Sequence, residues 1–247
     1  MEPDGLNYPL NCIVNNPQQL IFPFKADQRA SFSNFFCTQD NAALLTRLDQ
    51  IVNDENSHEL IIDGVEGSGK SFLIQSICNE LSLAQKKLAF IPMKKALDMG
   101  VEIVQNLASL DAVCIDDIQS IENNANWEEA FFHLINECHQ SQCSLIFSVT
   151  SNKSLDDLFK LLDLLSRVKR MEHMTLKAVQ DQDLIEALIF KCKKLDINLG
   201  QSELDFLVKY HARDFSILLE KVMFLDQRAG ELKRKITIPL MKEILSL

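Results

Sequence analysis

Between residues 29 and 174, short apolar runs alternate with stretches whose apolar positions recur every three or four residues. The runs Leu60–Ile62, Leu88–Ile91, Ala112–Ile115 and Leu145–Val149 predict buried strands, and the stretches between them predict amphipathic helices. Such alternation implies a parallel sheet between layers of helix. Beyond about residue 175 the strand signals stop. Helical patterns run over 181–194, 201–211, 215–228 and 239–247, the last with Pro239 in its first turn, where a missing N–H forfeits no helical bond. Residues 1–28 hold four of the six prolines (Pro3, Pro9, Pro17, Pro23) and no helical period, so they predict an extended tail. The expected organisation is a tail over 1–28, an α/β base over 29–174 and a small all-helical lid over 175–247.

One segment carries chemistry directly. Gly64-Val65-Glu66-Gly67-Ser68-Gly69-Lys70-Ser71 reads G-x-x-x-x-G-K-S between the first apolar run and a helical stretch that opens at Phe72. Strand, glycine loop, helix is the order a phosphate-binding loop requires. Its successive backbone N–H groups point inward at phosphate oxygens, and the helix N-terminus adds a favourable dipole. Gly64 to Phe72 are therefore candidate contacts for ATP or ADP, with Lys70 on the β and γ phosphates and Ser71 on Mg²⁺.

Two acids end the third strand, 46 residues after Lys70: Asp116 and Asp117. A buried strand delivers its last residues to the carboxyl edge of the sheet, where the loop also opens. That places Asp116 in reach of Mg²⁺ and Asp117 where it can orient or deprotonate a water. An Asp at a strand-to-helix turn is also a common helix cap, which is the plainer reading of the pair. The fourth strand runs into Thr150-Ser151-Asn152, placing Asn152 beside Asp116 and near a γ-phosphate, or else in a simple polar turn. Further on, Ser166-Arg167 sets one arginine in an apolar helix end.

Charge narrows the ligands. The net charge is −10, with ten more acids than bases, which weighs against direct whole-surface contact with DNA and leaves DNA an indirect or weak partner. The densest basic run, Lys233-Arg234-Lys235, is short enough to be a solvated loop. Seven scattered cysteines without a C-x-x-C pair fit a reducing cytoplasm. No charged-then-apolar leader opens the chain and no run of 18 apolar residues occurs, so neither secretion nor a membrane partner is expected.

Taken with the helical lid, the set Gly64–Ser71, Asp116-Asp117, Asn152 and Ser166-Arg167 resembles the AAA+ ATPases, in the branch of the bacterial replication initiator DnaA. Within that branch, Asn126-Trp127-Glu128-Glu129-Ala130-Phe131-Phe132, Arg234 to Leu245 and the tail segment Gln19-Leu20-Ile21-Phe22-Pro23-Phe24 are similar to the Hda family, which inactivates the initiator after replication starts. The resemblance implies a five-stranded parallel P-loop base with a helical lid and a cytoplasmic, replisome-associated role. It makes Arg167 an arginine finger acting in trans on ATP held by the DnaA initiator. It makes Gln19, Leu20, Phe22, Pro23 and Phe24 a hexapeptide for the β sliding clamp of DNA polymerase III, unless those residues fold back on the domain.

Two departures follow from the same resemblance. The position of the lid's sensor arginine is occupied by Ser216, with Arg213 one helical turn earlier on a similar face as its substitute. No initiator-type DNA-binding domain follows the lid up to Leu247. Hydrolysis at Lys70 itself and self-association as a homo-oligomer are left open. The competing expectation is an autonomous ATPase acting as a helicase-loading or clamp-loading factor.

Overall fold

A computed structural model places residues 24–150 and 154–246, so Gln19, Leu20, Phe22, Pro23 and Asn152 lie outside the described residues. In chain order the base consists of α1 (Ala42–Asn53), β1 (Glu59–Asp63), α2 (Lys70–Leu83), β2 (Leu88–Pro92), α3 (Met93–Ala96), β3 (Ala112–Asp116), α4 (Ala125–Ser141), β4 (Ser144–Val149), α5 (Leu155–Leu158), α6 (Leu162–Arg170) and β5 (Glu172–Thr175). The lid follows as α7 (Leu184–Lys194), α8 (Gln201–Tyr210), α9 (Phe215–Leu232) and α10 (Ile238–Leu245).

The five strands form one sheet in the order β2-β3-β4-β1-β5, with each neighbouring pair parallel. Four of them coincide with the apolar runs. A strand buried on both faces needs no polar alternation, which is why these runs are continuous. Side chains nonetheless alternate between two cores. Ile61, Ile91, Val113, Ile115, Leu145 and Phe147 face α4 and α6, whereas Leu60, Ile62, Phe90, Cys114 and Ile146 face α1 and α2. The fifth strand, Glu172-His173-Met174-Thr175, pairs with β1 at the sheet edge and contains no fully buried residue.

The lid has its own core, in which Leu184, Leu188 and Cys192 of α7 pack with Leu204, Leu207, Leu218, Val222, Leu225 and Met241. Two of its helix starts are set by short polar caps. The Asp214 carboxylate accepts the Ile217 N–H at the head of α9, and the Thr237 hydroxyl accepts the Leu240 N–H at the head of α10. Lid and base meet at defined points: the Ser216 hydroxyl donates to the Gly67 carbonyl (2.9 Å), and Lys191 Nζ donates to the Asn34 carbonyl (2.7 Å).

Candidate functional site

The loop leaving β1 turns on two glycines. Gly67 and Gly69 have φ of +75° and +102°, the left-handed region that side chains rarely occupy. A Cβ at Gly69 would also fall 3.0 Å from the Phe35 ring, and one at Gly67 would fall 3.0 Å from the Ser216 hydroxyl. Lys70, the first residue of α2, is buried and turns its ammonium back into the loop, donating to Gly64 O (2.8 Å) and Val65 O (2.7 Å), with Ser68 Oγ at 3.4 Å. Burial pushes its pKa down, and the charges of Asp117, Asp116 and Asp63 oppose that shift. Val65, Glu66 and Gly67 form the exposed rim.

The carboxyl ends of β3 and β4 bring the acids to this loop. Asp116 is buried, and burial raises its pKa against hydrogen bonds from Ser148 and Ser71, which lower it. Ser71 and Asp116 are thus in contact. Ser148 ties the two acids together, because its hydroxyl donates to Asp116 Oδ1 and accepts the Asp117 N–H at 2.8 Å. Asp117 sits at φ +60° and collects donors: Lys94 Nζ at 2.8 Å, Gln119 Nε2 at 2.8 Å and Thr150 Oγ1 at 3.3 Å. Burial pushes the Asp117 carboxyl up, but the hydrogen bond and charge of Lys94, with Gln119 and Thr150, more than reverse this and hold it below the usual range. A cavity of about 400 Å³ opens beside the two acids, lined among others by Phe24, Phe90, Lys94 and Lys95.

The raised carboxyl at Asp116 has a measurable consequence. A folded-state pKa above the unfolded value gives stability that is present below the unfolded pKa, about 3.9, and lost as pH rises through the folded value. At neutral pH the charged form therefore costs stability. Asp116→Asn is expected to raise the melting temperature of the nucleotide-free, metal-free protein at pH 7, and the gain is expected to shrink as pH falls towards 4. About 1 kcal/mol moves the midpoint of a domain of this size by roughly 2–4 °C, so scanning calorimetry across pH resolves it. A gain that grows on acidification contradicts the assigned sign.

The remaining candidates sit as follows. Phe72 lies on the first turn of α2, its ring centroid 6.2 Å from that of Phe35 and 4.2 Å from the Lys191 ammonium of the lid. Arg213 is exposed, lies just before the N-cap of α9 and is bonded to Asp181 Oδ2 at 2.8 Å, whereas Ser216 on the first turn of α9 bonds the glycine loop. Phe24 is partly buried and packs against both cores of the base, so this member of the hexapeptide is seated on the domain. Arg167 is half-buried on α6 and donates through Nε to Asn136 Oδ1 of α4 at 2.8 Å. It belongs to the helix layer opposite α2, across the sheet from its own glycine loop.

Ser148, Lys94, Gln119 and Asn136 were not singled out from the sequence. Ser148 carried a usable signal, since a hydroxyl near the end of the apolar run of β4 needs a polar partner. Lys94 carried none, because its contact with Asp117 exists only once β2 and β3 are paired.

A parallel sheet of this order, a glycine loop sealed by a lysine, a buried acid on the next strand but one and a helical lid touching the loop define a P-loop protein of the AAA+ class. The structure superposes on domain III of the Thermotoga maritima replication initiation protein DnaA with a TM-score of 0.77, at 17% identity over 90% of this chain and 98% of that one. AMPPCP-bound DnaA from Aquifex aeolicus aligns with a TM-score of 0.68 at 18% identity, covering 85% of this chain and 69% of that one. An uncharacterized protein of Haemophilus influenzae is 31% identical over 231 residues, 93% of this chain and 99% of its own length. Residues 26–174 match the family model of the bacterial DnaA ATPase domain, and residues 181–245 match that of the Hda lid domain. The chain belongs to the DnaA-related AAA+ family, in its Hda-like form.

Proposed function

We propose that this protein is a negative regulator of replication initiation: it holds ADP at Gly64–Ser71, docks on the DNA-loaded sliding clamp and presents Arg167 to ATP bound by the initiator. The observation that carries the reading is the position of Arg167. It stands across the sheet from its own loop, its Nε is held by a neutral amide, and no described carboxylate is within ion-pair distance to cancel its charge. A guanidinium so placed serves a phosphate on another molecule better than its own.

Nucleotide binding is supported by the loop geometry and by the AMPPCP reported in the Aquifex aeolicus DnaA structure. The donor set also fits Mg²⁺. Ser71 and Asp116 are hard oxygen ligands already in contact, and a cation there would relieve the cost of the buried carboxylate. When bound, the ion would screen phosphate charge. Slow turnover at this site follows from Asp117, which is engaged by three donors and held ionised at a lowered pKa, so it is a poor base for activating water.

The test is hydrolysis of initiator-bound ATP with clamp and DNA present, with and without this chain. Stimulation is expected. Its absence, together with rapid hydrolysis by this chain alone, would favour the motor or loader reading instead.

Clamp docking is tested separately. Phe24 packs on the base, so Leu20 and Phe22 are the cleaner sites to alter. A short anchor of this kind holds with about micromolar affinity, so losing two apolar residues removes most of it. The Leu20→Ala, Phe22→Ala double variant is expected to lose clamp retention in a pull-down at unchanged nucleotide affinity. Undiminished retention sinks the docking assignment.

A further inference from the structure

Glu128 is 2% exposed, a carboxylate buried on α4 that neither the nucleotide loop nor the two acids use. Its Oε2 accepts the N–H of Lys160 at 2.9 Å and the N–H of Leu161 at 2.7 Å. Those amides lie on the two residues that immediately precede α6, the helix that carries Arg167. The N-terminal cap of α6 is Leu161, whose side chain offers no acceptor, so the helix has no cap of its own. Glu128 instead anchors, from another element, the two residues that lead into the helix, and its carboxylate sits near the positive end of the helix dipole.

We infer that Glu128 is a positioning residue for the arginine finger, an inference that rests on the trans-acting reading of Arg167. α4 is a single 17-residue helix seated in the core through Phe131, Leu134, Ile135 and Cys138. It holds α6 at two points, Glu128 at the residues leading into the helix and Asn136 at Arg167 Nε. The two grips are eight residues apart, about 12 Å along a helix rising about 1.5 Å per residue. One rigid body thus fixes both ends of the short helix, and with them the direction in which the guanidinium projects. The middle of α6 is seated by Leu164, Leu165 and Val168, so removing one grip tilts or frays its start without expelling it from the core. A cavity of about 680 Å³ lined by Glu128, Phe132, His133, Lys160 and Asp163 opens beside this contact. Water has room there to solvate the freed amides, so the protein is expected to fold without the carboxylate.

The experiment titrates the regulator against ATP-bound initiator with clamp and DNA present, for the wild type, Glu128→Ala, Glu128→Gln and Arg167→Ala. A misdirected finger lowers the rate at saturation, and displacement on the scale of 1 Å costs up to about a hundredfold. Glu128→Ala is expected to lose roughly ten- to hundredfold in the saturating rate, with a half-saturating concentration and nucleotide affinity within about twofold of wild type. Glu128→Gln, whose amide oxygen still accepts both N–H groups, is expected to recover more than half of that loss. A merely destabilised protein behaves differently, reaching the wild-type rate at saturation with a raised half-saturating concentration. That result overturns the inference, as does failure of Gln to rescue a folded protein. If Arg167→Ala retains full stimulation, the finger reading itself falls and this inference with it. If Arg167→Ala is inactive while Glu128→Ala is fully active, only the positioning role falls.

Discussion

Arg167→Ala is expected to lower the stimulated hydrolysis of initiator-bound ATP by about 10³- to 10⁵-fold while leaving nucleotide and clamp binding by this chain intact. That factor corresponds to about 4–7 kcal/mol of barrier, more than any single hydrogen bond in the ground state supplies. The reason is differential: a guanidinium placed against a transferring phosphoryl group meets most of its charge in the transition state. The local geometry supports such a role. With Nε bonded to Asn136, the two Nη groups project together from a fixed plane. Because that acceptor is a neutral amide oxygen, the full positive charge remains for an incoming phosphate. Lysine has no Nε to hold and presents a flexible point charge, so Arg167→Lys is expected to recover little of the rate. Stability is hardly involved, since the side chain is half-buried and its one described partner can turn to solvent. Full stimulation by Arg167→Ala would reduce the protein to an adaptor whose contribution is to bring other components together.

How much of this was legible beforehand depends on where each residue's partner lies. The glycine loop was readable because every element it needs is contiguous from Leu60 to Phe72. The four central strands were readable because burial on both faces writes itself as an apolar run. β5 was not, since an edge strand of four partly exposed residues has no such signature and takes its identity from pairing with β1. The lid helices were placed within a few residues, but α9 runs through Gly230 to Leu232, beyond the expected end at Arg228. Its core residues Leu218, Val222, Leu225 and Ala229 hold the helix past a glycine that is only a weak stop. The restraint on Asp117 was invisible for a different reason. Gln119 is a near neighbour in sequence, but Lys94 and Thr150 come from other segments and reach Asp117 only when β2, β3 and β4 lie side by side. Arg213 and Ser216 show the limit of reasoning by helix turn: Arg213 precedes the N-cap Asp214, so it is not on α9 and bonds Asp181, whereas Ser216 on the first turn bonds the loop.

Lys70→Ala is the counterpart to the finger variant, because it is expected to weaken nucleotide binding strongly with little effect on the fold. Lys70 donates to the carbonyls of Gly64 and Val65, and no carboxylate among the described residues touches its ammonium directly. Burial without a bonded counter-ion is what depresses its pKa, so the charge contributes little to stability until phosphate arrives. The carbonyls left behind lie on the partly exposed side of the loop and can be met by water. The melting temperature of the nucleotide-free variant is therefore expected to stay within about 3 °C of wild type, a change of roughly 1 kcal/mol. Losing the charged donor to a phosphate costs about 2–4 kcal/mol of binding, roughly 30- to 1,000-fold. At nucleotide concentrations 100 times the wild-type dissociation constant, ligand stabilisation is about 2.7 kcal/mol, and a hundredfold loss of affinity cuts it to about 0.4 kcal/mol. A thermal-shift titration with ADP reads that difference directly. A large drop in the nucleotide-free melting temperature with the ADP shift preserved would make Lys70 a structural pin of the loop. The same variant also separates the roles of nucleotide and finger, because Arg167 is untouched. If bound nucleotide sets the relation of lid to base through the contact of Ser216 with Gly67, stimulation of the initiator falls with nucleotide occupancy and returns when excess ADP refills the site.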